Sequence, residues 1–216
     1  MRGRSIADRM VIGLMGMAAV ASLLPAEPAM AGRGGSEMGP PAFQGVWQPV
    51  VGSGAVYDVQ QAGEPAMVME MDVVGQEAGG YWVETRMTQP GEMTSKMLMV
   101  EGAIKRMIVK SGADPAMEMP AMMLQPSGPQ TDLKDRGTLI GTESITTAAG
   151  TFMCEHYRVG TGGEVSDAWI NATISPYGLV KMSKPGMTLL LTRVVTGATT
   201  RITEEPMTMP DLSNLR

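Results

Sequence analysis

The stretch Met67-Val68-Met69-Glu70-Met71-Asp72-Val73 decides the fold class of this chain. Its odd-numbered positions are apolar, whereas Glu70 and Asp72 fall between them. Side chains of a β-strand alternate between two faces, so a two-residue period predicts a strand that is buried on one side only. We therefore expect the three methionines to point into a core and the two acids to point the other way.

Strand-like stretches recur along most of the chain, between breaks at glycine or proline. They cover residues 56–60, 67–73, 81–87, 96–101, 104–110, 138–146, 151–159, 165–174, 179–183, 187–196 and 200–204. Gly102-Ala103 and Thr147-Ala148-Ala149-Gly150 each separate two such stretches by a short turn, which favours hairpins. About ten or eleven strands at this spacing predict a mainly β domain, in which an antiparallel sheet curls into an incomplete, half-open barrel.

One segment after the N-terminal region departs from this pattern, at residues 114–124. Asp114 followed by Pro115 is typical of a helix N-cap and first turn. Met117, Met122 and Met123 could then share one side of a short helix, whose length Pro120 limits. The sequence predicts a short helical lid here.

The N-terminus has the features of a secretory signal peptide. Arg2, Arg4 and Arg9 precede an apolar run of 14 residues at 11–24, which is shorter than the about 20 residues that span a bilayer. Ala29-Met30-Ala31 then supplies the small residues that a signal peptidase requires. We predict cleavage after Ala31 and a periplasmic location.

The remaining chain predicts a simple organisation. Residues 32–42 are rich in glycine, proline and serine and predict a flexible leader. Residues 43–216 are long enough for a single domain with its own core. We expect this domain to be a monomer with no transmembrane segment after signal cleavage.

Charge narrows the class of partner. Of the 17 basic and 22 acidic residues, three arginines and two acids belong to the predicted signal peptide, which leaves the mature chain acidic. Nucleic acids and anionic membrane surfaces bind clustered lysine and arginine, so neither is expected as a partner. With one cysteine, Cys154, the fold cannot be held by an intrachain disulfide.

Catalytic motifs are absent from the sequence. His156 is the single histidine, which excludes metal sites that need two or three histidines from one chain. Cys154 and His156 lie two apart on one predicted strand, about 7 Å apart at the backbone, whereas a nucleophile and its base must approach within about 3.2 Å. We therefore predict no catalytic residue, no cofactor and a non-enzymatic protein, with Cys154 as a small buried residue.

Methionine is unusually abundant, with 23 residues, while aromatic residues make up only 4% of the chain. Flexible thioethers fill irregular cores and also line surfaces that grip apolar ligands. The strand spacing of the methionines fits core packing, and it fits the lining of an apolar site equally. Under the second interpretation the candidate ligand-binding residues are Met67, Met69, Met71, Met97, Met99, Trp82 and Trp169.

Copper is an open alternative for a different group of methionines. Thioethers bind Cu(I), and copper is handled in exported compartments. The candidate ligands in that case are Met117, Met119, Met122 and Met123, which crowd the predicted lid.

Several motifs add a resemblance to a known family. They include Gly54-Ala55-Val56-Tyr57, Tyr81-Trp82-Val83-Glu84, Gly141-Thr142-Glu143-Ser144-Ile145, Thr151-Phe152-Met153-Cys154-Glu155-His156-Tyr157-Arg158, Ala168-Trp169-Ile170 and Pro176-Tyr177-Gly178-Leu179-Val180-Lys181-Met182. This pattern resembles exported bacterial proteins of unassigned function that are similar to the periplasmic lipoprotein-carrier (LolA/LolB-like) superfamily. The resemblance covers most of residues 46–206.

What the resemblance implies is an incomplete barrel with a helical lid and an apolar concave face that holds acyl chains. The expected function is therefore that of a periplasmic carrier or binding protein for an apolar ligand, either an acyl chain or a lipoprotein anchor. Two alternatives stay open: a methionine-rich copper-handling protein, and an envelope scaffold that binds a protein partner along a sheet edge.

Overall fold

The computed structural model describes residues 45–88, 91–120, 124, 133–161 and 164–208. These residues belong to one compact unit, Pro40–Arg216. The predicted signal peptide and leader lie outside the described residues. Within the described ranges, no helix is long and apolar enough to cross a membrane.

Twelve strands and one short helix make up the described structure. The strands are β1 Ser53–Gln61, β2 Met67–Glu77, β3 Gly80–Met87, β4 Met93–Val100, β5 Ala103–Ser111, β6 Met117–Glu118, β7 Thr138–Thr147, β8 Gly150–Thr161, β9 Glu164–Ile170, β10 Leu179–Lys184, β11 Met187–Thr196 and β12 Met207–Thr208. The helix, α1, is Leu133–Arg136. Ten strands are long and two have two residues each, in agreement with the predicted number.

All twelve strands form one sheet, in the order β12-β6-β5-β4-β3-β2-β1-β11-β10-β9-β8-β7. Neighbours are antiparallel except for the short β12–β6 pair, which is parallel. The edges are β7 and β12, so the sheet is not closed. The prediction of a mainly β, open and curved antiparallel sheet is confirmed.

The predicted hairpins are present. At the β4–β5 turn, Glu101 and Gly102 have φ values of 50° and 75°. A two-residue type I′ turn requires positive φ at both positions, and glycine adopts it without strain. The β7–β8 hairpin turns at Ala148 and Ala149, where the Thr147 hydroxyl accepts the Ala149 N–H at 3.1 Å.

The predicted helix over residues 114–124 is wrong for the part that the structure describes. Residues 114–120 are not helical, and Met117–Glu118 instead forms β6, which pairs with Ile108 and Val109 of β5. The open edge of β5 satisfies backbone groups that a helix would have paired internally. Met122 and Met123 lie outside the described residues.

Two strand predictions need correction at their ends. The strand predicted over 165–174 ends at Ile170, because Asn171 starts a turn in which its side-chain oxygen accepts the backbone N–H of Thr173. The stretch 200–204 is not a strand. It belongs to a segment, residues 198–208, that runs along the sheet and is called the C-terminal strap below.

Apolar side chains lie on both faces of the sheet. The main core joins residues of β2, such as Met69, to residues of β8, such as Tyr157, although these strands are five positions apart in the sheet. A contiguous cluster between such distant strands requires the sheet to curl around it, so this face is the concave one. A smaller cluster on the opposite face contains Trp82, Leu98, Ile108, Ala116 and Ile202, the last of which comes from the strap.

Candidate functional site

The predicted methionines lie together on the concave face. Met69 and Met71 belong to the main core, with Met67 packed against it. Met97 and Met99 form an adjoining cluster with Val83. The side chains of Met69, Met71, Met97 and Met99 are only 1–4% exposed, so each is covered from the concave side as well as held by the sheet.

A segment outside the sheet provides part of this cover. Residues 45–50, called the Trp47 segment, precede β1 and belong to no strand. Val46 is part of the main core, and the half-buried Trp47 packs against both the main core and the cluster of Met97 and Met99. The Trp47 ring meets Tyr177 at a centroid distance of 5.1 Å and Tyr81 edge-on at 6.2 Å.

Few hydrogen bonds fix the Trp47 segment. The backbone N–H groups of Val46 and Gln48 donate to the carbonyls of Tyr177 and Pro176, at 2.8 and 2.7 Å. The Val50 N–H donates to the Ser175 hydroxyl at 3.1 Å. Together with a bond from Leu133 N–H to the Gly45 carbonyl at 3.1 Å, these anchor the segment to a turn and to α1. The link to a strand is local: the Val50 carbonyl accepts the N–H of Ser53, the first residue of β1, at 3.0 Å.

Buried phenols give this region a neutral character. The Tyr57 hydroxyl donates to the Leu179 carbonyl at 3.0 Å, and burial raises its pKa far above the ordinary value. Burial also raises the pKa of Tyr177 to about 12. Both phenols are therefore un-ionised near neutral pH, and the surface beneath the Trp47 segment combines thioethers, aliphatic chains and uncharged rings.

The structure separates Trp82 from the methionines. Trp82 lies on the opposite face of β3 from Val83 and packs with Leu98 and Ile108. Its indole N–H donates to Glu77 at 2.9 Å, and the Lys96 ammonium lies 5.1 Å from its ring. Alternation along β3 carries Trp82 to the outer face, so it does not join the methionines with which it is grouped as a candidate ligand-binding residue.

Trp169 is buried and makes polar contacts. It packs with the main core, and its indole N–H donates to Glu143. Its ring stacks on His156 at a centroid distance of 4.4 Å, and the Lys181 ammonium also lies 4.4 Å from its centroid. This tryptophan ties β9 to a polar cluster.

That polar cluster holds the only histidine of the chain. The two ring nitrogens of His156 face Glu143 at 3.1 Å and Asp167 at 2.9 Å. Asp167 also accepts from Arg158 at 2.9 Å; despite its burial, its pKa is lowered by the hydrogen bonds from Arg158 and His156. Because the two carboxylates lie at different ring nitrogens, His156 is held on both sides.

Cys154 is a buried thiol, as expected. It has no exposed surface, and its sulfur donates to the Phe152 carbonyl at 3.5 Å. Burial, together with the nearby Glu143 carboxylate, raises the pKa of Cys154 to about 11. The thiol form therefore predominates near neutral pH, which disfavours nucleophilic chemistry.

The outer face carries an acidic cluster that the sequence analysis missed. Glu70, Asp72 and Glu84 are all buried, although the strand period had placed Glu70 and Asp72 facing water. The alternation is confirmed, but the C-terminal strap covers this face. Arg201 of the strap contacts Glu70 at 2.9 Å, Asp72 at 3.2 Å and Glu84 at 3.6 Å.

Sequence could have signalled the acidic cluster but not its partner. Glu70, Asp72 and Glu84 fall on one face of two adjacent predicted strands, and three like charges so close require a cation. The chain holds 17 lysines and arginines, and nothing in the pattern selects Arg201 among them.

A cavity of about 250 Å³ lies beside the strap, lined by Glu92, Thr94, Lys110, Gly112, Arg201 and Ile202.

The methionines proposed for copper are only partly described. Met117 is half-buried in β6, and the Met119 N–H donates to the Met107 carbonyl at 2.8 Å. In the described part of the chain, no group of three or more His, Cys, Asp or Glu side chains is placed to hold a metal ion. Copper binding by the methionine thioethers stays a prediction.

Comparison with known proteins finds loose structural likeness only. No protein-family model and no curated protein sequence matches the chain. Among crystal structures, a candidate lipoprotein from Parabacteroides distasonis is 17% identical, with a TM-score of 0.35; the match covers 70% of this chain and 99% of that one. A candidate exported protein with a YmcC-like fold from Bacteroides fragilis is 14% identical, with a TM-score of 0.31 and coverage of 70% and 99%.

A third similar structure is the MucA/MucB complex of Pseudomonas aeruginosa. It is 12% identical with a TM-score of 0.47, and the match covers 68% of this chain and 52% of that one, so this chain spans about half of its length. All three TM-scores fall below 0.5, so the likeness assigns neither a family nor a function. The resemblance to the lipoprotein carriers stays a prediction.

Proposed function

We propose that this chain is an exported, non-enzymatic binding protein that holds an apolar ligand, such as an acyl chain, on the concave face of its sheet. One observation carries the proposal: the methionines of β2 and β4 lie on the same face in two apolar clusters, and the cover over both includes Trp47, which belongs to no strand. Flexible thioethers adapt to chains of different shape.

Burial of apolar area would supply the affinity. Each Å² of apolar surface removed from water contributes about 25 cal/mol, before the cost of ordering the ligand. The un-ionised phenols of Tyr57 and Tyr177 leave no charge that a hydrocarbon chain would have to desolvate. A ligand with one apolar chain and a polar head at the rim fits this chemistry.

The sequence supports export, and the surroundings of the single histidine and the single thiol support the absence of catalysis. Residues 1–31 have the charge, length and cleavage pattern of a signal peptide. The single histidine is engaged by two carboxylates, and the single thiol is buried with a raised pKa. We therefore propose a periplasmic location and a binding role rather than a catalytic one.

Native mass spectrometry of the mature protein, purified without detergent, tests this function first. Bound material that fragments to acyl chains supports it. The proposal is contradicted if the protein carries no acyl chains after purification and also fails to take up a fluorescent fatty acid from solution and from vesicles.

A matched pair of variants then locates the site. Met97→Gln puts a polar amide of similar size on the concave face, whereas Leu98→Gln does so on the outer face of the same strand. Both substitutions bury a polar group and weaken folding. Loading of the fluorescent fatty acid should fall at least tenfold for Met97→Gln and stay near wild type for Leu98→Gln.

Strand β7 favours a second candidate function, docking of a partner protein. It is the edge of the sheet, and eight of its ten residues are exposed, including Leu139 and Ile140. An unpaired edge presents N–H and C=O groups that an extended peptide can pair with. If a partner adds a strand here, those amides of residues 138–147 that do not bond to β8 will become protected from hydrogen exchange when that partner is present.

A further inference from the structure

We propose that the Trp47 segment, residues 45–50, is a built-in occupant of the ligand site, which an apolar ligand must displace. The inference rests on the proposed function and adds its regulation. The protein would be closed when empty, with its own tryptophan in the position that a ligand later takes. An acyl chain is the occupant to which the proposal commits.

Trp47 contacts both apolar clusters of the concave face, which the proposed function assigns to one ligand. Its ring also lies against Tyr81 and Tyr177, the two tyrosines on either side of it. The Trp47 side chain thus connects the cluster that contains the methionines of β4 to Tyr177 of the main core.

Trp47 is half-buried, whereas the methionines beneath it are only 1–4% exposed. The indole is therefore the outer layer of this region, between the methionines and water. Removing it uncovers apolar surface that a hydrocarbon chain could cover again, so the exchange of one for the other conserves buried area.

Val46, Gln48 and Val50 donate their backbone N–H groups to the turn that follows β9, and none of these bonds joins the segment to a strand. The segment can leave without breaking a ladder of the sheet. Its N–H groups would then be hydrated by water, as backbone groups on a surface are.

This arrangement affects the binding equilibrium. A ligand binds only the fraction of molecules in which the segment is open, so the observed dissociation constant equals the intrinsic one divided by that fraction. A substitution that weakens the contacts of the Trp47 segment should tighten ligand binding. A substitution that truncates an ordinary lining residue should weaken ligand binding. The direction of the change in affinity therefore distinguishes a segment that the ligand displaces from a residue that only lines the site.

The test compares fatty-acid binding by Trp47→Ala, Trp82→Ala and wild type. Trp82→Ala is the matched control, because it removes the same ring from the outer face. We expect Trp47→Ala to bind a fluorescent fatty acid at least fivefold more tightly than wild type, with no change for Trp82→Ala. Unchanged or weaker binding by a folded Trp47→Ala protein overturns the displacement, while binding by wild type would leave the proposed function standing.

If no variant and no wild-type sample binds the probe, the proposed function itself fails. Trp47→Ala could also lose stability, so a second variant keeps the test valid. Gln48→Pro removes the N–H that bonds to the Pro176 carbonyl and leaves the indole in place. Like Trp47→Ala, the Gln48→Pro variant should bind the fluorescent fatty acid more tightly than wild type.

A spectroscopic measurement reports the displacement directly. The chain has three tryptophans, so Trp82→Phe with Trp169→Phe leaves Trp47 as the only indole. Saturation with a non-fluorescent fatty acid should shift its emission to longer wavelength as the ring enters water. Saturated binding without any shift contradicts the proposal.

Discussion

The backbone N–H of Arg201 donates to both carboxylate oxygens of Glu84, at 3.0 and 3.1 Å, across 117 residues of sequence. Thr200 donates its hydroxyl to the same carboxylate at 2.7 Å. The side chain of Glu84 is fully buried, so these bonds take the place of the hydrogen bonds that water would make to the carboxylate. One carboxylate of β3 thus holds the C-terminal strap onto the outer face of the sheet.

Replacing Glu84 should loosen the strap. Glu84→Ala leaves the Arg201 N–H without its acceptor, whereas the Thr200 hydroxyl keeps the Ile202 carbonyl at 3.2 Å and the Arg201 side chain keeps Glu70 and Asp72. A hydrogen bond to a charged group contributes about 1.5–3 kcal/mol, so we expect a loss of that size. The measurement is the free energy of unfolding from urea denaturation. Glu77→Ala is the control: Glu77 contacts Trp82 and Arg106 on the same face but is half-exposed, so the loss should stay below about 1 kcal/mol. Equal losses for the two variants would contradict the role of Glu84 as the anchor.

Asp72 should make folding depend on pH. Burial, and after it the Glu70 carboxylate, raises the pKa of Asp72 above the ordinary 3.8, and its Oδ1 has no hydrogen-bond partner in the described structure. Because the folded state prefers the protonated acid, this contribution to stability is full below pH 3.8 and is lost as pH rises through the folded-state pKa.

Asp72→Asn tests this sign. The amide keeps an oxygen for Arg201 and carries no charge, so the variant should be at least as stable as wild type at pH 7. Its advantage should shrink as pH falls towards 4. Urea denaturation at several pH values measures both effects; a large loss of stability at pH 7 would mean that Arg201 requires the charge of Asp72.

Gly54 has to be glycine because Asp72 lies against its backbone. A Cβ at this position would lie 2.0 Å from Asp72 Oδ1 and 2.5 Å from the Met71 carbonyl oxygen, both across the β1–β2 pair. Overpacking of this kind costs about 1–3 kcal/mol, so Gly54→Ala should lower the melting temperature by several degrees. Gly141→Ala in β7 is the control, because a Cβ there meets nothing within 4 Å; its melting temperature should stay close to that of wild type.

The strand pattern of this chain was readable from sequence because it depends on neighbouring residues. The odd and even positions of β2 point to opposite faces as predicted, and β11 spans the predicted residues 187–196. Turn glycines and alternating side chains act within a few residues, so local sequence carries the information.

What sequence missed depends on distant segments. Glu70 and Asp72 were expected to face water because nothing near them indicates that residues 198–208 return to cover them. Met117 was expected in a helix because its own neighbours favour one, whereas the open edge of β5 draws it into a strand. The Trp47 segment contacts Tyr81 and Tyr177 at sequence separations that no local period encodes.

Cys154 should resist alkylation in the folded protein. Its pKa is raised to about 11 by burial and by the Glu143 carboxylate, compared with an ordinary value of 9.0. Two pKa units reduce the thiolate fraction at pH 8 by about 100-fold, and the thiolate is the reactive form. Iodoacetamide followed by mass spectrometry should therefore label unfolded protein in urea within minutes and leave native protein largely unmodified. Rapid labelling of native protein would mean that Cys154 is accessible and ionised, which would reopen the question of chemistry beside His156.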